Sequence, residues 1–253
     1  MAELTGKIAW LTGAGSGIGL SGAQELAASG AHVILSGRRP GLLDDAVAAL
    51  RKEGHSAEAA PLDVSDRHAV AKLADSLLAR HKKIDILVNS AGTNILKRWL
   101  KELTAEAWEH MVAINLNGAA YTILAVLPAM RAQQDGMIIN ISSWAGRYPA
   151  SRVAGPSYSA AKHAMVDLTL SINREESMNN IRACVICPGE VATPILENRP
   201  VKLTREELSR MLQAEDLGRT IRFVATMPAR ACINEIVMSP TWNRGFVASM
   251  QGT

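Results

Sequence analysis

The chain holds only three cysteines among its 253 residues, an odd, small number that builds no disulfide framework. Aromatic residues are equally scarce at 4%, too thin for the stacking platforms that bind single-stranded nucleic acid. No stretch of lysine and arginine dominates either. The 27 basic and 24 acidic residues leave a net charge of +3, whereas a phosphate-neutralising surface gathers its charge on one face. The six histidines are scattered, no His-Glu-x-x-His occurs, and no metal is expected. The longest apolar run, 118–130, contains Pro128 and is too short to span a bilayer. The opening MAELTGKIAW carries Glu3 early and lacks the basic-then-apolar plan of a signal peptide. The expectation is a soluble, cytoplasmic protein with no nucleic-acid or membrane partner.

What is present points to a packed globular unit. Hydrophobic residues make up 48% and charged residues 20%, which excludes disorder. A length near 250 residues suits one α/β unit, so 1–253 reads as a single domain. Short apolar runs at 7–12, 32–35, a stretch ending at Leu62, 84–88, 137–141, 182–186 and 233–238 read as strands. Helical spacing separates them at 18–29, 42–52, 68–80, 105–131 and 157–177, with shorter pieces at 205–212 and 217–227. Strands without alternation, separated by amphipathic helices, predict an α/β fold: a doubly wound, Rossmann-type parallel sheet covered by helices on both faces. Right-handed crossovers then put the site at the carboxyl ends of the strands. Cys184 and Cys187 form a C-x-x-C string, but on a strand residues three apart point to opposite faces. A structural role is therefore expected for both.

Thr12 to Gly19 reads TGAGSGIG at the first strand-to-helix junction. Amides at a helix amino terminus bind phosphate through hydrogen bonds and the helix dipole. Gly13, Ser16, Gly17, Ile18 and Gly19 are the cofactor candidates: Gly13 for the tight turn, Gly17 for close approach to a pyrophosphate, Gly19 for helix-on-strand packing. At the end of the second strand the string is LSGRRP, with Ser36 and Gly37 where an acid would bind ribose hydroxyls, then Arg38 and Arg39. A guanidinium pairs with a ribose 2′-phosphate, which favours NADP(H), with NAD(H) second. Tyr158 and Lys162 are four apart on a predicted helix and share a face. A phenol titrates at about 10 unperturbed, and a neighbouring ammonium favours its ionised form.

These strings recur in order with Asp63 in LDV, NSAG from Asn89 to Gly92, Asn115, ISS ending at Ser143, YSAAK, and Pro188–Gly189. Together they resemble the short-chain dehydrogenase/reductase family, from Thr5 to about Pro240. The resemblance implies a seven-stranded Rossmann domain that uses a nicotinamide cofactor to oxidise alcohols or reduce carbonyls. It implies Tyr158 as acid/base, Lys162 lowering the phenol pKa and binding the nicotinamide ribose, Ser143 on the substrate oxygen, and Asn115 holding a water and Lys162 in a proton relay. Ser143 stands further before Tyr158 than is usual, which implies a short insertion near 148–153. Asp63 would meet the adenine amino group, with Val64 lining its pocket. Asn89 would tie neighbouring strands, and Ala91 and Gly92 would pass the ribose. Pro188 and Gly189 would turn beneath the nicotinamide, with Val191 and Thr193 at its carboxamide and the phosphates. The ending INEIVMSPTWNR is similar to a bacterial NADP-dependent branch acting on small 3-hydroxy and serine-like acids.

The family resemblance also implies a homo-oligomer, a tetramer or dimer, through helices 105–131 and 157–177, although Ala160, Ala161, Ala164, Met165 and Leu168 would serve equally in a monomer's core. A lid is expected at about 190–214, where Arg199, Lys202, Arg205 and Arg210 face Glu197, Glu206 and Glu207. Basic lid residues would suit a carboxylate, and Trp99, Trp144 and Tyr148 are candidates for an apolar wall. Two rival readings remain. Ser159 to Lys162 is an S-x-x-K string, the nucleophile pattern of penicillin-recognising enzymes, but it lacks their further elements. A non-catalytic NADP(H)-sensing protein would need the fold without turnover.

Overall fold

Strand β1 (Ile8–Thr12) is apolar on both sides because both sides are covered. Trp10 points into one core layer, Ala9 and Leu11 into the other. The computed structural model describes residues 3–148 and 153–250. The same two-faced burial recurs in β2 (His32–Ser36), β4 (Ile86–Asn89), β5 (Gly136–Ile141) and β6 (Ile181–Pro188), with β3 (Ala57–Ala59) and β7 (Glu235–Met238) at the edges. The strands form one seven-stranded sheet in the order β3-β2-β1-β4-β5-β6-β7, and every pairing is parallel. After β3 the chain returns to lie beside β1. The order therefore reverses between β1 and β4, the place where a doubly wound sheet opens a crevice at its carboxyl edge.

The helices in chain order are α1 (Gly17–Ala28), α2 (Pro40–Lys52), α3 (Arg67–His81), α4 (Ala105–Val112), α5 (Gly118–Gln133), α6 (Pro156–Glu176), α7 (Arg205–Ser209), α8 (Ala214–Ala225) and α9 (Arg244–Met250). Leu26, Leu43 and Ile221 bring α1, α2 and α8 onto one face. Leu77, Ile123 and Ile172 bring α3, α5 and α6 onto the other. Each fully buried aliphatic side chain of this kind contributes roughly 1.5–3 kcal/mol. The buried Trp10 indole donates to Ser36 Oγ at 2.9 Å, and Ser36 passes its own proton to the Ala60 carbonyl at 2.7 Å. This chain satisfies the only polar atom of a large core residue.

Several boundaries differ from the sequence expectation for identifiable reasons. β3 ends at Ala59 as a regular strand, although Ala60 and Leu62 still donate to the Leu35 and Gly37 carbonyls at 2.9 and 3.0 Å; Pro61 stands between them at a position whose amide would point off the sheet edge. The run expected as one helix at 105–131 is α4 and α5 joined through a π-turn at Ala113–Asn117. Ala105–Gln133 is thereby longer and more apolar than the 118–130 run suggested. It is the one helix among the described residues long and apolar enough to cross a membrane, yet half of its most apolar stretch is buried within the fold. The helix expected at 205–212 stops at Ser209, since Leu212 turns back to bridge Val191. Cys184 and Cys187 are both buried, in different core clusters on opposite faces of β6. Burial pushes their thiols up, to about 12 and about 11 respectively, which leaves them inert near neutrality.

Candidate active site

The carboxyl ends of the strands open into a cleft of ≈ 1360 Å³. At its nucleotide end, α1 begins after Ser16, whose backbone is extended and whose side chain caps nothing; no acid occupies the first turn. A helix always leaves its first amides without intrahelical partners, and here they are free to meet an anion. Gly13 has φ +65°, and a Cβ there would lie 2.7 Å from the Ala91 amide nitrogen. Gly17 has φ +57° and faces Thr193, 3.2 Å from the space a Cβ would fill. No other residue type fits these two positions without strain. The cradle suits a pyrophosphate.

Arg38 and Arg39 are exposed at the mouth of this half, and Arg39 Nη2 reaches Ser16 Oγ at 3.3 Å. Asp63 lies opposite. Its Oδ1 accepts from the Ser65 amide at 2.9 Å and the Ser65 hydroxyl at 2.7 Å. Partial burial opposes ionisation of Asp63, but these bonds and the charge of Arg38 hold it below the usual carboxylate range.

The chemical end is built on α6, which starts at Pro156 after Gly155. Tyr158 and Lys162 share its inward face, with Lys162 only 4% exposed. Lys162 Nζ lies over the Tyr158 ring, 5.6 Å from its centroid, and donates to the Ile141 carbonyl at 2.8 Å. Of the neighbouring serines, Ser142 is buried and donates to the Lys162 carbonyl at 2.8 Å. Ser143 Oγ accepts from the Ala145 amide at 3.1 Å, lines the cleft with Tyr158 and opposes the rise of the phenol pKa. The two side chains share the cleft despite the long Ser143-to-Tyr158 spacing. Most of the expected insertion, residues 149–152, lies outside the described residues.

One expectation about this pair requires correction. Lys162 was to lower the Tyr158 pKa, but burial pushes the phenol above its ordinary value, and the groups that oppose the rise are Ser143 and the charge of Arg98. Burial also lowers Lys162 itself to about 8.

The cleft wall brings together Gly13, Ser16, Gly17, Ile18, Arg38, Arg39, Asp63 and Val64 from the first half of the chain. Ala91, Gly92, Ser143, Tyr158, Lys162, Pro188, Gly189, Val191 and Thr193 complete the expected set along it. Gly19, Asn89 and Asn115 stand behind the wall. Asn89 donates to Asn140 Oδ1 at 2.9 Å and accepts from Thr122 at 2.7 Å, which joins β4 to β5 and α5. Asn115 sits in the π-turn, fully buried. Its Nδ2 donates to the Met111 and Thr93 carbonyls at 2.9 and 3.1 Å, and its Oδ1 accepts from the Thr93 amide at 3.1 Å. It lies beside Gly92 but makes no hydrogen bond to Lys162.

The substrate end also departs from expectation. Trp144 and Tyr148 line the cleft with ring centroids 4.6 Å apart, whereas Trp99 does not line it. Of the basic lid residues only Arg199 faces the cleft, and it is paired with Glu190 at 2.5 Å. Arg244, from the unforeseen helix α9, also binds Glu190, at 2.6 Å, and Glu207 at 2.9 Å. Burial works against a charged Glu190, but the two arginines outweigh it and hold its carboxyl below the ordinary range. Sequence reasoning missed Glu190 and Arg244 as partners. It also missed Arg98, which lines the cleft at 3% exposure; in the string LKRWL nothing distinguishes it from a solvated cation. Away from the cleft, the fold gathers two of the scattered histidines, His32 and His81, around Glu58, with ligand atoms within 4.8 Å of one another. Glu58 is already bonded to Arg80 at 2.8 Å and His81 at 3.0 Å, an ion-pair cluster at the other end of the sheet.

A doubly wound sheet with an anion cradle at one end of its crevice and a tyrosine, lysine and serine at the other defines a nucleotide-dependent oxidoreductase. The family model for short chain dehydrogenases matches residues 7–203, and the chain belongs to the short-chain dehydrogenase/reductase family, whose members use NAD(P). It is 34% identical over 241 residues to an uncharacterized oxidoreductase of Staphylococcus saprophyticus, covering 95% of this chain and 100% of the relative. It is equally 34% identical, over 236 residues, to cis-4-hydroxycyclohexanecarboxylate dehydrogenase of Sinomonas cyclohexanicum, covering 91% and 94%. Among solved structures it resembles a metagenomic short-chain oxidoreductase in complex with NADP (TM-score 0.82, 29% identity, 95% of this chain and 100% of that one). An alcohol dehydrogenase of the archaeon Thermococcus sibiricus complexed with 5-hydroxy-NADP is similar too (TM-score 0.84, 25% identity, 94% and 98%).

Proposed function

We propose that this protein transfers hydride between NADP(H), with NAD(H) second, and the alcohol or carbonyl carbon of a small substrate, small 3-hydroxy acids included. The observation that carries this is the meeting of Ser143, Tyr158 and Lys162 at one end of the cleft whose other end holds the uncapped amino terminus of α1 and the arginines at its mouth. The two NADP-bound neighbours favour the phosphorylated cofactor. The INEIVMSPTWNR ending and the relative named for a hydroxy acid favour the substrate class.

Bound in the cleft, the nicotinamide would supply or accept the hydride. The glycine turn and the first amides of α1 would hold its pyrophosphate, and Arg38 and Arg39 the 2′-phosphate. Asp63 and Val64 would border the adenine; Pro188, Gly189, Val191 and Thr193 would border the nicotinamide. Lys162 would donate to the nicotinamide ribose, and Ser143 to the substrate oxygen. Tyr158 gives its proton to that oxygen in reduction and recovers it in oxidation. Asn115 keeps the π-turn and Thr93 in place behind Gly92 and Lys162, where a proton relay would run. The segment 190–214 would act as the lid.

Titration of the purified protein with NADPH and NADH, followed by nicotinamide fluorescence, tests the reading. Markedly tighter NADPH binding is expected; binding of neither would remove the functional assignment.

We also infer a homo-oligomer, a tetramer or dimer. Trp108 on α4, Leu124 on α5 and Leu170 on α6 are 39%, 66% and 40% exposed, and a second copy could cover these positions. Ala161 and Met165 face the protein's own core, while Ala160 faces outward. Light scattering should return a multiple of the protomer mass; the mass of one protomer would remove the claim.

A further inference from the structure

Arg98 is a cation buried without an anion. It follows β4 and is 3% exposed, yet no carboxylate pairs with it among the described residues. Its Nη1 donates to the Val153 carbonyl at 2.7 Å and its Nη2 to the Asn198 carbonyl. A guanidinium carries five N–H donors, so these two bonds leave three without acceptors among the described residues, and Nε is buried with none at all. Burying a charge is costly unless an opposite charge and further hydrogen bonds compensate it.

The neighbouring residues do not supply that charge. Around the substrate end, Arg98, Arg199 and Arg244 face Glu190 and Glu207, and both glutamates are already engaged by Arg199 and Arg244. Lys162 is a further buried cation of the cleft, but its Nζ donates to the Ile141 carbonyl, and Glu197 lines the cleft from an exposed position; of the three arginines, Arg98 is the one that neither Glu190 nor Glu207 engages. The position is constrained: Gly155, at φ +81°, packs so closely that a Cβ there would be 2.8 Å from the Arg98 carbonyl oxygen. Arg98 lines the cleft together with Ser143 and Tyr158, and its charge is felt at the Tyr158 phenol.

Building on the proposed oxidoreductase reading, we propose that Arg98 is the anion receptor of the substrate end and selects hydroxy and keto substrates that carry a single carboxylate. The planar guanidinium fork matches a carboxylate through charge-assisted paired bonds. One guanidinium that no glutamate engages calls for one carboxylate. A neutral alcohol would leave the guanidinium uncompensated, so discrimination follows from the unpaired donors themselves.

The test compares 3-hydroxybutyrate and 4-hydroxycyclohexanecarboxylate with their methyl esters, oxidised with saturating NADP⁺ by wild type, Arg98→Gln and Arg98→Lys. Wild type should favour the acids over the esters in kcat/KM by on the order of 10–100-fold. Arg98→Gln should erase that preference, chiefly through KM for the acids, while keeping NADPH affinity and slowing the esters only as far as loss of the Arg98 charge raises the Tyr158 phenol. Arg98→Lys should recover part of the preference. An equal loss on acids and esters would make Arg98 a strut between Val153 and Asn198 and overturn the proposal, as would a wild type indifferent to the carboxylate. Should Arg98→Gln not fold, the wild type still decides, since the acids and not the esters should raise the Tm of the NADPH complex. NADPH binding and ester turnover without acid preference would sink this inference alone; absence of NADPH binding would sink the underlying reading.

Discussion

Tyr158→Phe should lower kcat by roughly 10²–10⁴-fold, the range of general acid–base catalysis, and leave NADPH affinity unchanged. The phenol lines the cleft with Ser143 and lies under the Lys162 ammonium, so removal of its oxygen deletes the proton donor without touching the cradle at α1. Direction matters for pH. Burial raises the Tyr158 pKa, so the phenol stays protonated through neutrality. Reduction needs that protonated form, and its kcat/KM should be flat at neutral pH and fall on the alkaline side. Oxidation needs the phenolate, and its kcat/KM should climb with pH, by up to about tenfold per unit below the phenol pKa. Lys162, lowered to about 8, is charged below that value and neutral above it, so ribose binding should weaken on the alkaline side. Profiles in both directions, beside the Phe variant, test this. A variant with full turnover would move the acid/base role elsewhere; wild type that binds NADPH but turns over no carbonyl or alcohol would revive the sensor reading.

Replacing Arg38 and Arg39 together by alanine should weaken NADPH binding by on the order of 10–100-fold and leave NADH binding nearly unchanged. A hydrogen bond to a charged group is worth about 1.5–3 kcal/mol, and exposure of both side chains argues for the lower end at physiological salt. Arg39 already reaches Ser16 at 3.3 Å beside the cradle, so the two guanidinium groups flank the ground where a 2′-phosphate would sit. Fluorescence titration of the double variant reads the ratio directly. Equal losses for both cofactors would mean that the arginines serve the pyrophosphate rather than the selector.

The parallel sheet was legible because burial on both faces removes the polar alternation from a strand, as in IAWLT and HVILS. Helix lengths followed from periodicity, while boundaries moved where the chain turned back on itself, as Leu212 does to bridge Val191. The short α9 was not legible, because Arg244–Met250 has neither the length nor the spacing to announce itself. The glycine turn and the arginines after β2 were legible from their place at a turn and a strand end; the spacing of Tyr158 and Lys162 shows only a shared helix face, and it was the ordered set of motifs that singled the pair out.

Charge balance is a different kind of property. Whether an arginine is a solvated cation or a buried receptor depends on what packs around it from distant parts of the chain. Arg199, offered with the basic lid residues to a substrate carboxylate, is neutralised by Glu190; Arg98, which no sequence pattern singled out, is buried without a counterion among the described residues. The electrostatics of Tyr158 changed for the same reason, since burial and Arg98 act on it through space rather than along α6. Sequence by itself determined the fold and offered the glycine turn as a cofactor cradle, because those follow from short-range pattern and chain connectivity, while the resemblance named the candidate reacting side chains. Tertiary structure alone decided which charges are paired and which guanidinium lies buried at the cleft without a counterion among the described residues, because desolvation and Coulomb energy depend on neighbours brought together only by folding.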